Sequence, residues 1–385
     1  MRTIRRKPTF TKAPGIPFFV YFCINQHPKI SYYRDKMKPE FRIYHILRPL
    51  GWIYGALTGI RNRLFDMNAL KSVSFGIPVI NIGNITAGGT GKTPHTEYVA
   101  SILKDYCRTA VLSRGYGRHT KGFFMSDERS DSGLIGDEPL QIKRRFPDID
   151  VAVCEDRAVG INRVIGLCNP QAVILDDAFQ HRKVTPSLNI LLVNWHRNIL
   201  DDAMLPAGRL RESAARRNRA HIIIVTKCPE DLSQEAMESM TAALRTDASQ
   251  KVFFSTLEYG SIYPMQSGSN AALPSGPALV VTGIASPRQI EEYLTGQGRK
   301  VTLMTYPDHY RYSKQDIRKI ADRLNAMGSD AFVITTAKDA ARLADLNIDA
   351  ELLDRIFVLP VGVRFLKGGD DFERIIKKHV DSFGK

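Results

Sequence analysis

A glycine-rich loop carries the most specific chemistry in this sequence, Gly83-Asn-Ile-Thr-Ala-Gly-Gly-Thr-Gly-Lys-Thr-Pro94. A β-branched run at residues 77–82 precedes it and a helical apolar spacing at 95–105 follows it, which is the context of a phosphate-binding turn. Glycines let the backbone wrap so that N–H groups and a helix N-terminus meet phosphate oxygens. The strict motif has glycine where this chain has Thr86. We therefore predict a variant phosphate loop that binds a nucleotide through Thr86, Ala87, Gly88, Gly89, Thr90, Gly91, Lys92 and Thr93.

Side chains in and near this loop could complete a phosphoryl-transfer site. Lys92 is expected to contact the β- and γ-phosphates, and Thr93 to offer its hydroxyl to Mg²⁺. The apolar strand at 171–175 delivers Asp176 and Asp177 at its carboxyl end, where phosphate-loop enzymes hold Mg²⁺. The predicted metal ligands are therefore Thr93, Asp176 and Asp177. Only one of the two adjacent aspartates is expected to face the metal, and a strand-end turn with solvated acids is the alternative.

Three further positions have both a chemical and a structural interpretation. Asp137 opens a predicted helix, either as its N-cap or as a carboxylate at the mouth of the nucleotide site, and local sequence favours the cap. His309 follows Asp308 in a loop after the strand that ends at Thr305, and a lone loop histidine is more often incidental than catalytic. The stretch Thr335-Thr-Ala-Lys-Asp339 is adequately explained as a helix cap.

Two arginines follow a Pro-Ala-Gly turn in Leu205-Pro-Ala-Gly-Arg-Leu-Arg-Glu212. The guanidinium groups of Arg209 and Arg211 match the geometry of phosphate or carboxylate. A solvated basic helix is an equally good interpretation of this segment.

The composition bounds the class of protein. The chain has 385 residues, enough for about two domains, with 43% hydrophobic and 24% charged residues, which is ordinary for a soluble globular protein. The net charge of +14 is high, and residues 1–36 hold eight Lys or Arg against one Asp. The five cysteines are odd in number and lack a Cys-x-x-Cys pair, so they indicate a reducing compartment without a disulfide framework or a zinc site.

Alternating strand and helix patterns predict an α/β fold of two units. We expect a disordered or mis-started arm at 1–36, an amphipathic helix at 41–66, a phosphate-loop domain with a mostly parallel sheet at 67–257, a linker at 258–277 and a smaller α/β domain at 278–385. The segment 41–66 allows two interpretations. Its apolar positions recur at intervals of three and four residues, and it has aromatic residues and basic flanks. Either the helix lies in an anionic membrane surface or it docks on its own domain.

Seven short motifs together resemble the tetraacyldisaccharide 4′-kinase family of the lipid A pathway. They keep their order from about Leu47 to the C-terminus; besides the loop and the 205–212 segment, they are Ser113-Arg-Gly-Tyr-Gly117, Gly136-Asp-Glu-Pro139, Asp176-Asp-Ala-Phe-Gln-His181, Asp308-His309 and Lys338-Asp-Ala340. One departure is Ala178, where the family typically has glycine. Residues 1–36 lie outside the resemblance.

The resemblance implies a monotopic enzyme on the cytoplasmic face of the inner membrane. Such an enzyme moves the γ-phosphoryl of ATP, with Mg²⁺, to the 4′-hydroxyl of a lipid disaccharide 1-phosphate. The resemblance further implies that Asp137 and His309 activate the hydroxyl across a cleft between the domains, with Lys92 as the third catalytic residue. Arg114, Arg209 and Arg211 are the expected substrate-binding residues.

Two other classes of protein remain as alternatives. A membrane-associated nucleotide switch would hydrolyse ATP to change partner affinity, but switches of this loop type often carry an extra lysine at the position of Ala87. A nucleic-acid-stimulated ATPase would use the basic charge, yet half of that charge lies in the 1–36 arm and no aromatic-studded basic face is evident. We therefore expect no nucleic-acid partner.

Overall fold

The computed structural model describes residues 43–266, 272–284, 287–307 and 310–383. The predicted arm at 1–36, the start of the predicted amphipathic helix, and Asp308 and His309 lie outside these residues. Fourteen strands lie in the described ranges: β1 (Val79–Gly83), β2 (Thr109–Ser113), β3 (Phe124–Met125), β4 (Asp150–Val153), β5 (Ala172–Asp176), β6 (Leu188–Asn194), β7 (Ile222–Thr226), β8 (Lys251–Tyr259), β9 (Tyr263–Pro264), β10 (Ala278–Thr282), β11 (Val301–Thr305), β12 (Phe332–Thr336), β13 (Ile356–Leu359) and β14 (Val361–Lys367).

Helices alternate with these strands along the chain. Within the same ranges they are α1 (Arg48–Asp66), α2 (Lys92–Leu103), α3 (Ser132–Ile135), α4 (Asp137–Arg145), α5 (Arg157–Cys168), α6 (Gln234–Leu244), α7 (Arg288–Gly296), α8 (Lys314–Asn325), α9 (Ala337–Leu343), α10 (Ala350–Leu353) and α11 (Gly369–Asp381), with short 3₁₀ turns at His45–Leu47 and Ala214–Arg219. No helix in the described part of the chain is long and apolar enough to cross a bilayer.

The strands form two mostly parallel sheets, which confirms the predicted α/β class. Over the described residues the larger sheet has the order β14-β8-β7-β6-β1-β5-β2-β4-β3, and the smaller one β11-β10-β12-β13-β9. Strand β7 shows why the sequence folds this way, because its alternate residues are buried on opposite faces. Ile222 and Ile224 pack in a core with α2 and α11, and Ile223 and Val225 pack in a second core with α6. A run of apolar residues buried on both faces is typical of a parallel sheet covered by helices on each side.

The chain returns to the larger sheet after completing the smaller one. Strand β14 pairs antiparallel with β8, and Phe372 and Ile376 of α11 are fully buried in the larger sheet's core. The prediction that the second domain extends from 278 to 385 is therefore wrong for these two elements. The predicted linker at 258–277 is also partly ordered in the sheets, since β8 ends at Tyr259 and β9 edges the smaller sheet.

Helix α1 is docked on the larger unit and exposes its apolar side chains. Tyr54 Oη donates to the Arg211 carbonyl at 3.2 Å, and Asn62 Nδ2 donates to Glu212 Oε2 at 2.8 Å. The other side of the helix presents large apolar side chains to solvent, which are Leu50, Trp52, Ile53, Leu57 and Ile60. Docking through one face and an exposed apolar face therefore coexist in the same helix.

Candidate active site

The phosphate loop lies between β1 and α2, as predicted from the sequence. Gly88 and Gly91 have φ angles of +102° and +82°, which side chains rarely tolerate, and Gly91 is the N-cap residue immediately before α2. The loop is held by the segment that carries the predicted arginines. Ala87 N–H donates to the Arg209 carbonyl at 2.7 Å, and Arg211 N–H donates to the Ile85 carbonyl at 2.8 Å. The loop and the arginine segment therefore form one backbone unit.

Lys92 and Asp177 face each other beside this loop. Lys92 Nζ lies 3.6 Å from Asp177 Oδ2, and Arg211 Nη2 lies 2.8 Å from Asp177 Oδ1. Burial acts to raise the pKa of Asp177, but the charges of Lys92 and Arg211 outweigh it and lower the pKa of this carboxyl below its usual value. Asp177 is consequently an ionised acid held between two cations.

Asp176 has the opposite environment, although it is the next residue in the chain. Its side chain is buried, with Thr96 Oγ1 donating to Oδ1 at 3.0 Å and Ser113 Oγ donating to Oδ2 at 3.4 Å. Burial, followed by the nearby charges of Glu138 and Asp177, raises the pKa of Asp176 to about 7. The two aspartates thus bind different partners.

The acids around Asp176 are suited to a divalent cation. No group of three or more His, Cys, Asp or Glu side chains converges as a complete metal cage in the residues that the structure describes. Phosphate-loop enzymes do not need one, because Mg²⁺ takes one or two protein oxygens and completes its shell with water and phosphates. Two neighbouring acids repel the negative charge of the Asp176 carboxylate. A bound cation would offset that repulsion. The residues present therefore fit Mg²⁺.

Asp137 is not a side-chain cap in this structure. It is the first residue of α4, and Gly136 occupies the N-cap position without a side-chain hydrogen bond. The Asp137 Oδ2 atom instead accepts from Arg342 Nε at 2.9 Å and lies 2.8 Å from Arg342 Nη2. The cap interpretation favoured by local sequence is wrong, because a partner from the smaller unit binds this carboxylate.

The remaining predicted residues are distributed around the loop. Arg209 is exposed, and its Nη1 lies 3.0 Å from where a Cβ on Gly88 would stand. Arg114 is exposed just beyond the end of β2. The predicted partner of Asp137, His309, lies outside the described residues. The structure therefore brings Arg209 and Arg211 to the loop and leaves the predicted Asp137–His309 pair untested.

Sequence reasoning missed two charged residues of this region. The charge of Glu138 raises the pKa of Asp176, and Glu138 Oε1 lies 3.8 Å from Lys338 Nζ. Its position beside Asp137 in a recognised motif was the available signal. Arg342 has no such signal, since it follows Lys338 by one helical turn inside an ordinary helix. The predicted helix cap in that stretch is confirmed, because Thr336 Oγ1 accepts from the Asp339 N–H at 3.1 Å.

The fold and the loop define a P-loop nucleotide-binding protein of the α/β class. The model of the family described as tetraacyldisaccharide-1-P 4′-kinase (LpxK) matches residues 43–381. The chain belongs to this family.

Individual relatives agree with that membership. The tetraacyldisaccharide 4′-kinase of Bacteroides thetaiotaomicron is 42% identical over 346 residues, covering 86% of this chain and 91% of that protein. That of Bacteroides fragilis is 44% identical over 344 residues, covering 86% and 92%. The crystal structure of LpxK from Aquifex aeolicus in complex with ATP is 28% identical with a TM-score of 0.70, covering 87% of this chain and 98% of that one. The alternative of a membrane-associated nucleotide switch is not favoured.

Proposed function

We propose that the protein transfers the γ-phosphoryl of ATP to the 4′-hydroxyl of a tetraacyldisaccharide 1-phosphate in lipid A biosynthesis. The observation that carries this proposal is the phosphate loop with Lys92 and Asp177 3.6 Å apart at its end, in a chain that belongs to the kinase family. Phosphoryl transfer needs positioning and charge neutralisation more than covalent chemistry. The loop, its helix N-terminus and the neighbouring cations supply both.

Each residue of the loop region has a role in this reaction. The loop amides and the N-terminus of α2 bind the phosphates. When ATP binds, Lys92 leaves Asp177 and contacts the β- and γ-phosphates. Arg211 keeps Asp177 ionised and oriented. Arg209, Arg211 and Arg114 are proposed to hold the anionic lipid substrate against the loop.

Thr93, Asp176 and Asp177 are proposed to hold Mg²⁺. The cation would neutralise charge on the phosphates during transfer. Asp176 is the better candidate of the two aspartates, because it lies among acids whereas Asp177 is already bound by Lys92 and Arg211. Thr96 fixes the Asp176 carboxyl from α2, one turn beyond Thr93.

Asp137 and His309 are proposed to orient the acceptor hydroxyl and take up its proton. Such a proton acceptor contributes about 10²- to 10⁴-fold to a rate. The two residues belong to different units of the chain, so closure of one unit on the other would assemble the pair. An ion-paired carboxylate is adequate for this task, because a loose phosphoryl transition state makes little demand on a strong base.

Helix α1 is proposed to bring the enzyme to the cytoplasmic face of the inner membrane. Its exposed apolar side chains would enter the acyl boundary while Arg48, Arg61 and Arg63 meet anionic head groups. A peripheral arrangement of this kind would present the loop to a substrate that is itself a lipid.

The direct test is transfer of label from γ-labelled ATP, with Mg²⁺, to a lipid disaccharide 1-phosphate or to buffer. We expect label in the lipid, and mild acid that cleaves the glycosidic phosphate should leave the label in place. Lys92→Ala should lower turnover by about 10²-fold or more. Lys104→Ala is the matched control, because that exposed lysine pairs only locally with Asp105 in the described contacts. ATP hydrolysis that ignores lipid, or normal turnover by Lys92→Ala, would contradict the proposal.

A further inference from the structure

A buried arginine of the smaller unit connects the two parts of the candidate site. Arg342, on α9, has a side chain that is 3% exposed. Its Nε and Nη2 converge on Asp137 Oδ2 at 2.9 and 2.8 Å, and its Nη1 donates to Asp339 Oδ1 at 3.0 Å. One planar guanidinium therefore spans the carboxylate of Asp137 on α4 and that of Asp339 on α9.

Asp339 gives this arginine a rigid base. Its carboxylate is fully buried and accepts hydrogen bonds from two strand ends, from α9's own cap and from a tyrosine. The donors are Thr282 Oγ1 at 2.7 Å, Thr336 Oγ1 at 2.8 Å, the Gly283 N–H at 3.1 Å and Tyr312 Oη at 3.2 Å. These bonds fix Asp339 to the carboxyl ends of β10 and β12, so the direction of the Arg342 fork is set by the smaller sheet.

We propose that Arg342 is a positioning residue, which aligns the Asp137 carboxylate with the carboxyl end of the smaller sheet. The inference rests on the proposed role of Asp137 in activating the hydroxyl. Two N–H groups that converge on one oxygen fix the position of that oxygen, and the bond from Nη1 to Asp339 fixes the direction from which they come. A displacement of about 1 Å in a reacting group can cost about 10²-fold in rate, so this alignment has a measurable effect.

Joining the two units does not require this arrangement. Arg144 Nη1 donates to the Ala341 carbonyl at 2.9 Å, and its Nη2 lies 3.5 Å from Asp345 Oδ1. Ser132 Oγ donates to Asp345 Oδ2 at 2.5 Å. These more exposed contacts link α3 and α4 to the region of α9. The charged triad of Asp137, Arg342 and Asp339 is more buried than these contacts, and burying it has a desolvation cost. A role in fixing the geometry of Asp137 accounts for that cost.

The test compares Arg342→Gln and Arg342→Lys with the matched control Arg144→Gln, which removes an arginine from the same interface. We expect Arg342→Gln to lower kcat by about 10²-fold while the KM for ATP stays within about twofold. Lysine keeps the charge but not the planar fork, so Arg342→Lys should recover part of the loss. Arg144→Gln should stay within about twofold of wild type, because exposed ion pairs contribute little.

A cycle with Asp137→Asn separates positioning from a general effect on folding. If Arg342 acts through Asp137, the double variant Asp137→Asn with Arg342→Gln is no slower than Asp137→Asn alone. Losses that multiply, or wild-type kcat in both Arg342 variants, overturn the inference. Thermal unfolding is measured beside the rates, and if Arg342→Gln does not fold, Arg342→Lys and its double variant decide in the same way.

The same data distinguish failure of this inference from failure of the proposed function. If Asp137→Asn keeps wild-type kcat, the role proposed for Asp137 is wrong and the positioning inference falls with it. If Asp137→Asn is inactive while both Arg342 variants are fully active, only the positioning inference is wrong.

Discussion

Replacing Asp176 by Asn should stabilise the ligand-free enzyme at and above neutral pH. The side chain is 1% exposed, and burial, then Glu138 and Asp177, raises its pKa from 3.8 to about 7. Asparagine has the same shape, can still accept the hydrogen bond from Thr96, and carries no charge. The substitution removes a charge that the folded state accommodates poorly.

The sign and size follow from proton linkage. Because the folded-state pKa lies above the unfolded value, the native state binds the proton more tightly, and its stability falls as pH rises between about 4 and 7. A shift of about three units corresponds to about 4 kcal/mol. Part of this pKa shift comes from the charges of Glu138 and Asp177 and the rest from burial. We therefore expect Asp176→Asn to raise the free energy of unfolding by about 2 to 4 kcal/mol at about pH 8. Near pH 4 or below, the difference should vanish.

The assay is urea unfolding across this pH range, with a chelator present so that no divalent cation binds. Asp177→Asn is the matched control, because the pKa of Asp177 is lowered by Lys92 and Arg211 despite burial. A lowered pKa contributes stability above the unfolded value, so this neighbour should lose stability at about pH 8 when Asp176→Asn gains it. Equal stability of Asp176→Asn and wild type at high pH, or a gain that does not change with pH, would refute the reasoning.

Two further predictions concern the acceptor end and the membrane. Asp137→Ala and His309→Ala should each lower kcat strongly, and the double variant should be little worse than the worse single one; independent, multiplying losses in steady-state kinetics would argue against a pair. Polar replacement of Trp52 and Leu57 should release the protein from anionic vesicles in flotation, since each buried apolar side chain contributes about 1.5 to 3 kcal/mol. The exposed Leu167 of α5 is the control, and unchanged flotation of the Trp52 and Leu57 variant would remove α1 from the membrane.

Local patterns were enough to predict most of the fold. Continuous β-branched runs such as Ile222–Thr226 are buried on both faces, and helices are bounded by caps such as Ser313 before α8. Strand β14 was missed because its sequence, with Gly362, Arg364 and Lys367, is half-buried and polar at intervals. Its partner β8 lies a hundred residues earlier in the chain, and no local signal reports such a pairing.

The candidate site, like the fold, has parts that local sequence predicts and parts that it does not. The phosphate loop is one contiguous stretch, so its residues and spacing could be read directly. Arg342, which binds Asp137, lies 205 positions away, and an aspartate at the start of a helix looks like a cap until that contact is seen. Helix α1 was found by its periodicity, but which side faces the protein depends on contacts with distant residues, as at Gly51, where a Cβ would lie 3.0 Å from the Met204 carbonyl oxygen.

The return of the chain to the larger sheet makes the smaller unit an insertion with two adjacent tethers. Strands β8 and β14 run side by side, with Tyr259 opposite Val361 and Glu258 opposite Gly362. The residues between them leave and re-enter the larger sheet at neighbouring points, as the turn of a hairpin would. A short turn joining the two strands would keep their register while omitting the whole insertion.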